Sequence, residues 1–328
     1  MAASTEPPSL KPFTIALVQL GQVTSDKSKN LPHAREMILK AASREGGRKP
    51  DLIVLPECFN SPYGVMHFLL YAETIGFTSG QPYDIKTSQS ETVKMLSGAA
   101  KETGIWLIGG SIPERDASDG SKLYNTCTVY SPQGELVTIH RKIHLFDIDI
   151  PGKITFKESE TLTGGSTMNM FDTPFARIGL GICYDVRFPE LAMIAARSGC
   201  QVIIYPAAFN MITGPLHWET LHRARAVDNQ AFMSMCSPAR DSVEGYQAYG
   251  HSMVVDPMQV SSLSHRLCSK ESMNRRGTVL TQAGHLEEVV YADIDPATFH
   301  SARTGIPVTT QRRFDVYPDV SREARAVM

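Results

Sequence analysis

Nine short runs of apolar, often β-branched residues recur along the 328-residue chain, and they leave few folds open. They are TIALVQL (14–20), DLIVLP (51–56), IWLIGG (105–110), NTCTVY (125–130), RIGLGIC (177–183), QVIIYP (201–206), AFMSMC (231–236), SMVVD (252–256) and VVYADID (289–295). Each has the length of a strand, and several are apolar almost throughout, as strands covered on both faces tend to be. Four intervening segments, 30–45, 90–102, 188–198 and 216–230, place apolar residues at i, i+3 and i+4 and read as helices. SPQGEL (131–136) carries a Gly-bearing turn between two strand-like runs and reads as a hairpin. This order of strands and helices predicts an α/β fold with some antiparallel pairing.

Two of the runs echo each other. DLIVLPECFN (51–60) and QVIIYPAAFN (201–210) share an apolar strand, then Pro56 and Pro206, Phe59 and Phe209, Asn60 and Asn210 at matching offsets. Two such strand exits predict pseudo-symmetric halves of one domain.

Composition narrows the function classes. With 42% hydrophobic and 20% charged residues and a net charge of −2, the chain looks like a soluble globular protein, and nothing marks a nucleic-acid or anionic-membrane partner. No stretch reaches about 18 consecutive apolar residues, so no spanning helix is expected. The start lacks a basic-then-apolar signal pattern, and residues 1–12 are expected to form a flexible tail, as are 319–328. The six cysteines are dispersed without a CxxC pair, which fits reduced thiols and a cytoplasmic protein, with a mitochondrial pool left open. Residues 259–276 are polar, Ser- and Arg-rich and aperiodic, far longer than a hairpin turn, and are expected to be an exposed insertion loop.

Three strand exits carry candidate chemistry. Cys183 ends RIGLGIC where a strand stops and a helix begins, which would expose the sulfur near backbone N–H groups that favour a thiolate. Glu57 follows a buried strand, so its pKa should rise, as suits a general base. Lys142 lies in LVTIHRKIHLF on the face shared with His140 and His144, where an inward ammonium could hold an oxyanion. The histidines show no metal spacing, so neither a metal nor a cofactor is expected.

Together LPECFNSPYG, HRKIHLFDID and GLGICYDVRFPEL resemble the Glu, Lys and Cys segments of the nitrilase superfamily, the carbon–nitrogen hydrolases. The resemblance spans residues 13–318. DIDIPGKITFKES, AFNMITGPLHWE, RARAVDNQ and GHSMVVDP are similar to the Nit branch. It implies a four-layer α-β-β-α sandwich, a homodimer, and Glu57, Lys142 and Cys183 as catalytic triad with Glu158 as second glutamate. The backbone N–H of Tyr184 would join Lys142 in holding the oxyanion. It further implies omega-amidase-type release of ammonia from small dicarboxylic monoamides such as 2-oxoglutaramate or 2-oxosuccinamate. Arg187 would clamp the substrate carboxylate, with Tyr63, Phe209 and Thr213 beside it. The alternatives are a deaminated-glutathione or N-carbamoyl amidase and, from another class, a catalytically idle binding or scaffold protein.

Overall fold

The computed structural model describes residues 6–152, 154–241, 246–258, 279–317 and 319. The first half runs β1 (Phe13–Gln19), α1 (Lys27–Ala42), β2 (Leu52–Val54), α2 (Val65–Tyr71), α3 (Glu91–Thr103), β3 (Trp106–Arg115), β4 (Leu123–Tyr130) and β5 (Leu136–Arg141). A small hairpin of β6 (Asp147–Ile150) and β7 (Ile154–Lys157) follows. The second half runs β8 (Met170–Asp172), β9 (Arg177–Leu180), α4 (Pro189–Arg197), β10 (Val202–Pro206), α5 (Thr213–Asn229), β11 (Phe232–Cys236) and β12 (Met253–Val255). It ends with β13 (Val279–Gln282), β14 (Glu288–Ile294), α6 (Pro296–Gly305) and α7 (Val308–Gln311).

β1 shows why the apolar runs do not alternate with polar residues. Phe13, Ile15 and Leu17 pack among the strands of the opposing sheet, while Ala16 and Val18 face α1 and α3. Both faces are covered, so both must be apolar. Burying a side chain such as Leu17 contributes roughly 1.5–3 kcal/mol. On the other sheet, Ala192 and Ala195 of α4 and Trp218 and Ala226 of α5 complete the core. The result is the expected order of layers: helices, sheet, sheet, helices.

The sheets have the orders β14-β1-β2-β3-β4-β5 and β13-β12-β11-β10-β9-β8. In the first, β1, β2 and β3 are parallel and the other three antiparallel to their neighbours. In the second, β9, β10 and β11 are parallel and β8, β12 and β13 antiparallel. Strand for strand, β1–β5 with β14 correspond to β9–β13 with β8. The echoed segments fall on β2 and β10, which are equivalent positions in the two halves.

Helix ends follow local chemistry. Ser90 accepts a hydrogen bond from the Val93 N–H at the start of α3, and Gly104 closes it in the left-handed region. The SPQGEL turn joins β4 and β5 as expected, with Gly134 at φ +83°.

Three expectations are revised or fall outside the structure. Residues 6–12 are not a free tail: Leu10 is 8% exposed, the Lys11 N–H donates to Phe175 O, and Gln201 Nε2 donates to Pro8 O. An apolar residue and backbone acceptors within reach of the second half tie the segment down. The expected insertion at 259–276 and, apart from Asp319, the C-terminal tail lie outside the described residues. The β6–β7 hairpin carries no long apolar run. Its signal is Pro151-Gly152 between alternating isoleucines, with Gly152 at φ +71°.

Candidate active site

Four strand or hairpin exits converge between the two halves. Glu57 leaves β2 through Leu55 and Pro56, where the chain passes close to β3. A Cβ on Gly110, at φ +60°, would lie 2.1 Å from Pro56 O, so this approach requires glycine. The Glu57 side chain is buried, with Oε1 accepting from Asn125 Nδ2 at 2.8 Å and from Lys142 Nζ at 3.0 Å. Oε2 has no hydrogen-bond partner of ordinary geometry among the described residues.

Lys142 stands one residue beyond β5 and is fully buried. Its N–H donates to Asn125 O at 2.8 Å and its carbonyl accepts from Gly165 N at 2.7 Å. Glu158 follows the β6–β7 hairpin directly. Its Oε1 and Oε2 lie 2.9 and 2.8 Å from Lys142 Nζ, the Phe146 N–H donates to Oε2 at 2.7 Å, and the Tyr63 hydroxyl donates to Oε1 at 2.8 Å.

Cys183 follows β9 at φ +45°, a left-handed conformation that costs a non-glycine residue about 1–3 kcal/mol and is concentrated at functional sites. A Cβ on the preceding Gly181 would meet the Tyr205 ring at 2.3 Å, so glycine lets β9 reach the turn beside β10. Two expectations change here. Cys183 does not stand exposed above a sheet edge but is buried, 4% exposed as a residue, and it opens a five-residue 3-10 turn, Cys183–Arg187, before α4 begins at Pro189. The parallel strands are roofed by the opposing half, which buries the exit.

Burial sets the protonation states. It pushes the Cys183 thiol well above its usual value; the Glu57 charge adds to this, and Lys142 and the Ala208 backbone oppose it. The resting sulfur is therefore a neutral thiol. Glu57 is also raised, first by burial and then by Glu158, against the pull of Lys142 and of a hydrogen bond with the Cys183 thiol. Burial disfavours the Lys142 ammonium, but Glu158 and Glu57 outweigh it and hold Lys142 charged. A neutral thiol beside a carboxylate of raised basicity, with a fixed cation, is equipped for general-base delivery of a thiolate to an acyl carbon.

The residues expected to bind substrate divide. Arg187 is half-buried, its guanidinium 4.8 Å from the centre of the Phe209 ring and its Nη1 3.1 Å from His217 Nδ1. Among the described residues it has no carboxylate partner, and its buried Nε has no acceptor. Asp185, two residues before Arg187 in the chain, faces away from it and contacts His140 and His144. Phe209 packs edge-on against Trp218 at 5.2 Å and is held below Arg187. Tyr63 directs its hydroxyl to Glu158, so it orients the second glutamate. Thr213 opens α5 and donates its hydroxyl to Asn210 Oδ1 at 3.0 Å, which commits its proton. The Tyr184 N–H lies in the first turn of the 3-10 segment, where intrahelical acceptors are lacking.

Sequence reasoning missed three neighbours. Asn125 bridges Glu57 and Lys142. Tyr246 packs its ring 4.5 Å from that of Tyr63 and donates to Ala208 O. Asp185 ties the Cys183 turn to the segment around Lys142. None had a local signal, because each acts on a group distant in sequence. No group of three or more His, Cys, Asp or Glu among the described residues is placed to hold a metal ion.

The family profile described as Carbon-nitrogen hydrolase matches residues 14–260. The chain is 50% identical to the omega-amidase NIT2 of Homo sapiens over 305 residues, covering 93% of this chain and 96% of that one. It is also 50% identical to a hydrolase of Schizosaccharomyces pombe over 319 residues, covering 97% and 88% of the two chains. The crystal structure of Saccharomyces cerevisiae Nit3, a member of branch 10 of the nitrilase superfamily, superposes with a TM-score of 0.77 at 42% identity. That match covers 96% of this chain and all of the other.

Proposed function

The chain belongs to the carbon–nitrogen hydrolase family, acting on linear amides and not on peptide bonds, and on that premise we propose that it is an omega-amidase working through Cys183. The substrate is a small dicarboxylic monoamide, such as 2-oxoglutaramate or 2-oxosuccinamate. Glu57 takes the thiol proton, and the Cys183 sulfur attacks the amide carbon. The negative oxygen of the tetrahedral intermediate rests between the Lys142 ammonium and the Tyr184 N–H. Glu57 returns the proton to the departing nitrogen, ammonia leaves, and a thioester remains. Water, deprotonated by Glu57, attacks the thioester, and its proton passes back to the sulfur. Glu158, oriented by Tyr63, holds Lys142 in place.

One observation carries the choice of substrate. Arg187 is a half-buried cation beside the reacting turn, resting on Phe209, with no carboxylate partner among the described residues. A half-buried guanidinium without a counter-charge is costly, and a substrate carboxylate would satisfy it bidentately. The omega-amidases to which the chain is similar support the same choice. Thr213, its proton already committed, is assigned no substrate contact.

The oligomer is a homodimer formed through the helical layer of the second half. Ile194 of α4 and Leu216 of α5 are 45% and 64% exposed, and beyond α7 Val316 and Tyr317 are 62% and 51% exposed. The protein works in a reducing compartment, the cytoplasm, consistent with five described cysteines that are all free. No helix among the described residues is long and apolar enough to cross a membrane.

The test is ammonia release by purified protein from 2-oxoglutaramate, from deaminated glutathione and from glutamine, side by side. The reading expects 2-oxoglutaramate to give the highest kcat/KM by at least about tenfold, a difference of about 1.4 kcal/mol. A preference for deaminated glutathione would move the chain to that rival activity. Turnover of none of the three would favour an idle scaffold.

A further inference from the structure

We infer that Asp185 is a positioning residue for the reaction: its carboxylate locks the Lys142 segment of one half onto the Cys183 turn of the other. The inference rests on the reading that these two residues act on one substrate carbonyl. Lys142 arrives from β5 and Cys183 from β9, on opposite sheets, so no local hydrogen bond fixes their separation.

Asp185 supplies that bond. It is fully buried. Oδ2 accepts from the Ile182 N–H at 2.9 Å, holding the residue immediately before Cys183. Oδ1 accepts from the His144 N–H at 2.9 Å and from His144 Nδ1 at 2.8 Å, holding the chain two residues after Lys142. His140 Nε2, two residues before Lys142, lies 3.4 Å from Oδ2, and the Ile143 N–H lies 3.5 Å from it. One carboxylate thus reaches both sides of Lys142 and the near side of Cys183.

The charge state agrees with the geometry. Burial would raise the Asp185 pKa, but hydrogen bonds from His140 and His144, with the Ile182 N–H, outweigh it and keep the group well below the usual carboxylate range. An ionised carboxylate has only acceptors, and every donor aimed at it points from a segment that must be held. His144 in turn stacks flat on Phe188 at 3.6 Å, at the end of the Cys183 turn, which closes a second link between the same two segments. A displacement of about 1 Å between reacting groups can cost about 10²-fold in rate. The angle between nucleophile and oxyanion partner is what Asp185 controls.

The experiment compares Asp185→Asn, His144→Phe and Cys183→Ala with the full-length enzyme on 2-oxoglutaramate. Asparagine keeps the shape but presents an NH₂ group in place of one oxygen. Phenylalanine keeps the stack on Phe188 and deletes only the Nδ1 donor. Quenched-flow mass spectrometry titrates the active sites and gives the acylation rate per titrated site, with KM measured alongside. A positioning role predicts an acylation rate per site about 10²-fold lower in Asp185→Asn and several-fold lower in His144→Phe, with KM within about threefold. A merely structural role predicts fewer titratable sites, each acylating at the wild-type rate, and that result overturns the inference. If Asp185→Asn does not fold, His144→Phe decides, and a wild-type rate per site in it overturns the inference equally. Ammonia release surviving in Cys183→Ala would instead overturn the underlying reading of the site.

Discussion

The Lys142 ammonium lies between both oxygens of Glu158, 2.9 Å from Oε1 and 2.8 Å from Oε2, and neither side chain is exposed to solvent. A buried ion pair of this kind is poor evidence for stability, since desolvating two charges offsets most of their attraction. Its value here is orientation: Glu158 holds the cation, and Glu57 keeps one oxygen for the thiol.

Replacing Glu158 by glutamine tests that division. Lys142 would then lean on Glu57 alone, and kcat should fall by about 10²–10³-fold, with KM changed little. The Glu158 charge also helps to raise the Glu57 pKa. Removing it lowers that pKa, so the acid limb of the kcat/KM profile should move to lower pH in Glu158→Gln. An acid limb that stays put or moves up would contradict this coupling.

The resting thiol can be probed without substrate. Because burial and Glu57 raise the Cys183 pKa, the sulfur is protonated at neutral pH. Alkylation of Cys183 by iodoacetamide should therefore climb only on the alkaline side of an ordinary thiol, without a plateau near pH 7. A plateau below pH 7 would mean a preformed thiolate and no need for Glu57 as base.

Arg187 should separate charged from uncharged substrates. Arg187→Ala should cut kcat/KM for 2-oxoglutaramate by about 10–100-fold, mainly through KM, corresponding to the roughly 1.5–3 kcal/mol of a hydrogen bond to a charged group. An uncharged amide of similar length should lose much less. Equal losses on both substrates would remove Arg187 as the clamp.

A residue remote from the chemistry sets part of the acid stability. His222 is fully buried on α5, and burial lowers its pKa to about 3 from 6.5. Between those values the unfolded chain binds a proton that the folded chain refuses, so stability falls as pH drops below about 6.5, by up to roughly 1.4 kcal/mol per pH unit. His222→Phe should flatten that slope between pH 6.5 and the low limit in urea titrations. An unchanged slope would assign the acid lability to other groups.

How much of this was legible in the sequence follows from the range of each interaction. β2 and β10 stood out because both faces of each strand are buried, which makes them apolar whatever lies beyond. Glu57, Lys142 and Cys183 stood out because each is a polar residue where such a run ends. Glu158 came only from resemblance, since its place depends on the β6–β7 hairpin, whose strands are too short and too exposed to announce themselves. The burial of Cys183 and the bridging by Asp185 were not legible, because both are made by the opposite half of the sandwich. Residues 6–12 were misread for the same reason: their partners Phe175 and Gln201 are more than 160 residues away.

The central claim is that Cys183 carries the acyl group. Intact-protein mass spectrometry during turnover of 2-oxoglutaramate, followed by peptide mapping, reads it directly. The account predicts a hydroxylamine-sensitive adduct with the mass of the deaminated acyl group on the Cys183 peptide, absent from Cys183→Ala, which should release no ammonia. An acyl adduct on another residue, or ammonia release by Cys183→Ala, would contradict it.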